Sequence, residues 1–149
     1  MSFEAVFGLP ASGPFIHRGA MIAARHIWLV LVTVPDRKTA RHLAQSILRA
    51  RLAACVNLVP GLESHYWWQN KLEHSAEILL LIKSTRQHLV RLEELVLKQH
   101  PYDTPEVIAW PLGSGNARYL AWLETSVKPR TSRTGRIKKE PGPCATSVA

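Results

Sequence analysis

Residues 27–34 read IWLVLVTV. Eight uncharged residues, mostly aliphatic and partly β-branched, mark a central strand buried on both faces. Pro35 and Asp36 close it, and Asp36 can cap a helix. In 37–52, Ala40, Leu43, Ala44, Ile47 and Leu48 recur at helical spacing, with Arg41, Gln45 and Arg49 off the stripe. A strand followed at once by an amphipathic helix sets the pattern for the rest of the chain.

A second strand is expected over 55–59. Pro60-Gly61 forces a bend or bulge, and residues 62–68 resume the strand. Gln69-Asn70 is a turn, since Asn tolerates positive φ. A third strand, 76–83 (AEILLLIK), returns as the other arm of a hairpin. Ser84 and Gln87 match a capping box for a second helix. Its core side would be Leu89, Leu92, Leu95 and Val96, and it would stop at His100-Pro101. A fourth strand over 107–110 follows, closed by Pro111. A loop over 113–116 then leads through Asn116 as cap to a last helix, 117–127, buried by Leu120 and Leu123.

The expected fold is α+β: a ferredoxin-like βαββαβ sandwich with an extra C-terminal helix. Its helices lie on one face of the sheet. The other face needs cover, which subunits packing their sheets together would supply.

The net charge of +8 is unevenly placed. Residues 27–127 hold eleven Lys/Arg against nine Asp/Glu, whereas 128–149 hold six against Glu140 alone. The folded part is therefore nearly neutral, which argues against nucleic-acid binding by the domain itself. Residues 1–26 read as a flexible or targeting extension, 27–127 as the domain and 128–149 as a basic disordered tail. No apolar run reaches the ~18–20 residues of a membrane span. Residues 21–34 have the outline of a secretory signal, but cleavage there would remove a core strand. The two cysteines, Cys55 and Cys144, make no disulfide framework, so a reducing, cytoplasmic setting is the simplest expectation. A targeting or secretory signal in the N-terminal extension is the alternative.

Several side chains could carry chemistry. Cys55 is a soft ligand suited to Cu(I), or a small buried hydrophobe. His100, Tyr102, Asp103 and Glu106 form the densest polar cluster in the domain, suited to Cu(II) or Zn(II); equally, they could end a helix and build a turn. Lys83 is a partner for Glu106 or for an anionic ligand. Tyr66, Trp67 and Trp68 crowd one strand, where aromatics build an interface or stack on a ligand. The remaining histidines show no metal spacing, and no phosphate loop or nucleophile elbow occurs.

The stretches RLAACVN (51–57), SHYWW (64–68), IKST (82–85), HPYDTPEVI (100–108) and YLAW (119–122) resemble, as a set, the CutA divalent-cation-tolerance family. The resemblance covers about 27–127. It implies a homotrimer, no enzymatic activity, and a link to tolerance of divalent metals with copper foremost; Cys55, His100, Asp103 and Glu106 are the side chains whose donor chemistry suits a weakly held copper ion. Vertebrate-type members imply an adaptor that anchors a membrane-associated protein such as a cholinesterase. The architecture also resembles PII-type sensors, which would make Lys83, Tyr66, Trp67, Trp68 and Tyr102 part of a ligand cleft or interface. Asn70 replaces a glycine usual in the hairpin, and Cys55 stands without the further core cysteines of many bacterial members.

Overall fold

A computed structural model describes residues 21–128. The expectations for residues 1–20 and for the basic tail beyond 128 lie outside the described residues. The order is β1 (Met21–Ala23), β2 (Ile27–Val34), α1 (Arg37–Arg49), β3 (Cys55–Trp68), β4 (Lys71–Thr85), a 3-10 turn (Arg86–His88), α2 (Leu89–Gln99), β5 (Ile108–Pro111), β6 (Ser114–Asn116) and α3 (Ala117–Ser126).

Strands β3-β4-β2-β5 form one sheet in that order, with every neighbouring pair antiparallel. This is the βαββαβ arrangement expected, with the hairpin's second arm beside the first strand. Asp36 caps α1 by accepting the Thr39 backbone N–H at 2.8 Å. That bond holds its carboxyl below the ordinary value. Ala40, Leu43, Ala44 and Ile47 are buried as the stripe requires, but Leu48, at the edge of that stripe, is exposed. The helix stops at 49 rather than 52, and Arg51 adopts a left-handed conformation (φ 56).

Alternation along β2 and β4 separates two faces. Val30, Val32, Val34, Leu80 and Ile82 pack under α1 and α2 with Leu43, Ile47, Leu92 and Val96. Leu29, Leu31, Leu79 and Leu81 point the other way and are only half-buried. Ile108 and Trp110 of β5 extend that second face and are exposed. Helix α3 closes just one end of it, where Leu120 and Leu123 meet Ala24 and Ile27.

The structure corrects four sequence expectations. The domain begins before residue 27: β1 pairs antiparallel with β6, and Ala24 is buried against α3. The loop expected at 113–116 is thus partly a strand, although Asn116 does cap α3, accepting the N–H groups of Arg118 and Tyr119. Ser84 caps no helix; it stays in β4 and its hydroxyl donates to the Leu52 carbonyl at 2.5 Å. The fourth strand is shifted by one residue and includes Pro111.

The hairpin is longer than expected. Pairing runs without a break from Leu62↔Glu77 to Trp68↔Lys71, closed by Gln69 (φ 48) and Asn70 (φ 62). The bulge at Pro60-Gly61 is present as a register shift between Val59 and Leu62, with Gly61 at φ 83. Beyond the bulge the hairpin carries Tyr66, Trp67, Trp68 and Leu72, all exposed, Trp67 to 73%.

Candidate functional site

The distal hairpin and the 100–106 segment enclose a cleft of about 620 Å³. Ser64, His65, Tyr66 and Trp68 come from β3, Glu77 from β4, and Tyr102, Asp103, Thr104 and Glu106 from the segment after α2, with Thr33 at the base. The lining has three carboxylates and no lysine or arginine.

His100 holds the 100–106 segment in place. Its Nδ1 accepts the Tyr102 backbone N–H at 3.0 Å, which makes Nε2 the protonated nitrogen, donating to the Thr33 carbonyl at 2.8 Å. Both ring nitrogens are occupied, so neither is free for a metal, and the imidazole positions the segment instead. Its ring packs 4.9 Å from that of Tyr102. The Tyr102 hydroxyl in turn donates to Glu77 Oε1 at 3.1 Å.

Glu77 is the residue the sequence reading missed. It is only 7% exposed. The hydrogen bond from Tyr102 is the one it makes among the described residues. A carboxylate just before the apolar run ILLLI, in a strand, was the available signal: buried charge is costly unless it is paired.

The Tyr102 phenol is pushed up to about 12, chiefly by burial and then by its bond to Glu77. The unfolded chain loses this proton near pH 10 while the folded one keeps it, so stability falls as pH rises from 10 towards 12. In Tyr102→Phe that alkaline loss should shrink, as melting curves on either side of pH 10 would show. An equal fall in both proteins would contradict the assignment.

Of the residues singled out from sequence, Tyr66, Trp68, Tyr102, Asp103 and Glu106 meet at the cleft, while Trp67 does not line it. Cys55 and Lys83 oppose each other across β3 and β4 at the other end of the sheet. Lys83 Nζ lies 3.7 Å from Cys55 Sγ and donates to Asn57 Oδ1. Lys83 is six residues along β4 from Glu77, about 20 Å at strand rise. Within one chain, therefore, neither Lys83 nor Cys55 joins Asp103 and Glu106. No group of three His, Cys, Asp or Glu converges on one point among the described residues.

Residues 28–126 match the family model described as CutA1 divalent ion tolerance protein. The chain belongs to this family. The family is one of non-enzymatic divalent-cation tolerance proteins, in line with the expectation of no catalysis. The chain is 50% identical over 100 residues to the chloroplastic CutA 1 of Oryza sativa, covering 67% of this chain and 56% of that one. It is 47% identical over 95 residues to the CutA of Thermus thermophilus, covering 64% and 92% respectively. The solved rice CutA1 superposes with a TM-score of 0.68 at 48% identity, over 70% of this chain and 96% of that one. The periplasmic CutA of Archaeoglobus fulgidus gives 0.67 at 29% identity, over 68% and 99%.

The chain thus spans little more than half of the rice protein but nearly all of the Thermus one. These CutA relatives are plant and prokaryotic, and none of them supports the finer expectation of a vertebrate-type member. The rice protein is named chloroplastic and the Archaeoglobus one periplasmic, so the names place relatives in more than one compartment. Among the described residues no helix is long and apolar enough to cross a membrane.

Proposed function

We propose that this CutA chain is a homotrimeric, non-enzymatic binding protein for divalent cations, and that the acidic cleft is its cation seat. The buried Glu77 carboxylate carries the reading: it faces a cleft without a lining cation and has one neutral hydrogen-bond donor. A bound cation would supply the missing counter-charge. Asp103 and Glu106 line the same cleft from the facing segment; the three carboxylates do not meet at one point as they stand, and would close on an ion by turning their side chains inward. Copper binds most tightly among first-row divalent ions to a given set of such donors, which makes it the first ion to test.

The uncovered sheet face supports assembly, and the number three follows from the family resemblance. Cys55 would enter a metal site only through another subunit. The adaptor reading draws on the family resemblance and on the extensions 1–26 and 128–149, of which residues 1–20 and 129–149 lie outside the described residues.

A second reading has one observation behind it. The cleft's volume falls in the range of small-molecule pockets, and Tyr66, Trp68 and Tyr102 give it aromatic walls. A small organic cation would suit it, in the manner of a ligand sensor, and would raise the melting temperature of the assembly.

Calorimetric titration with Cu(II) tests the cation seat. Glu77→Gln keeps the shape and removes the charge, and should weaken binding at this seat at least tenfold. Equal affinity in the two proteins would overturn the proposal.

A further inference from the structure

We infer that the β3–β4 hairpin holds a second cation seat, a transition-metal chelate formed across the strands by His65 and His74. The two residues stand directly opposite each other in the register set by the Gln69-Asn70 turn. Their rings are stacked with centroids 5.8 Å apart and planes 23° apart. Both side chains are exposed, and of the two only His65 has a side-chain hydrogen-bond partner among the described residues, Glu63. Directly opposed residues have Cβ atoms roughly 5 Å apart, and an imidazole nitrogen sits about 2 Å from a bound Zn(II). Two such rings therefore converge on one ion with a change of side-chain torsion and no movement of the strands.

The surroundings favour this. Glu63 lies two residues from His65 on the same side of β3, and its Oε1 is 2.7 Å from His65 Nε2. Its carboxylate is placed to give a third donor once His65 turns to the ion. His74 makes no hydrogen bond among the described residues, so chelation breaks nothing there. Paired imidazoles select copper, zinc or nickel over magnesium or calcium. As they stand the three groups meet pairwise and not at one point, so the seat is a two-nitrogen chelate completed by Glu63 and water. It shares His65 with the lining of the acidic cleft, but His74 and Glu63 lie off that lining.

The test uses the full chain with one equivalent of Cu(II), read by electron paramagnetic resonance and by competition with a chelating dye. Wild type and Glu77→Gln should both show copper coupled to two nitrogens. His74→Gln should lose one nitrogen and at least tenfold in affinity at this seat, with its melting temperature unchanged. A two-nitrogen signal that persists in His74→Gln, or a wild type without coupled nitrogens, would overturn the inference. Loss of the cleft seat alone would show as an effect of Glu77→Gln that leaves the two-nitrogen signal intact.

Discussion

Leu81→Glu is expected to reduce the mass in solution from the three chains of the proposed assembly to a single one of 16.7 kDa. Leu81 sits mid-face on β4, between Leu31 of β2 and Asn57 of β3, on the side of the sheet the helices leave uncovered. In one chain it is half-buried, so a glutamate there can reach water and the monomer should still fold. In an assembly that buries this face, each subunit would carry an unpaired charge into the contact, at several kcal/mol apiece. Leu48→Glu, on the exposed flank of α1, is the control and should leave the mass unchanged. Sedimentation equilibrium decides: three chains retained in Leu81→Glu would place the subunit contact elsewhere.

Leu43→Ala should destabilise the protein by about 3 kcal/mol, within the range for a leucine truncated in a closed core. Leu43 has no exposed surface and is the middle of the α1 stripe, packed against β2 and β4 valines and leucines with α2 alongside. Lost apolar burial and an unfilled cavity add in the same direction, since the sheet beneath cannot collapse into the gap. Urea unfolding at fixed protein concentration measures it, because assembly makes stability concentration-dependent. A loss below about 1 kcal/mol would mean that the core relaxes around the site.

Local signals made most of the fold legible. The apolar runs, the α1 stripe, the Asp36 and Asn116 caps and the Gln69-Asn70 turn each depend on residues close in sequence. The features that were missed depend on distant ones. Strand β1 is three residues long, and its partner β6 is far along the chain, so no period announces either. Ser84 resembled a cap because its partner, the Leu52 carbonyl, is remote in sequence. The cleft was half legible: Tyr102, Asp103 and Glu106 stand out as a cluster, whereas Glu77 looks like a routine strand residue until its burial is known. His100 resembled a ligand by type, and only its two hydrogen bonds reveal a positioning role. His65 and His74 are nine residues apart and meet only through the hairpin register.

The most direct test of the cation-seat reading is anomalous diffraction at the copper edge from crystals of the copper-loaded protein. The account predicts a peak within coordination distance of the Glu77 carboxylate, with Asp103 or Glu106 as a neighbour. Copper bound in the crystal with no peak at Glu77 would contradict it.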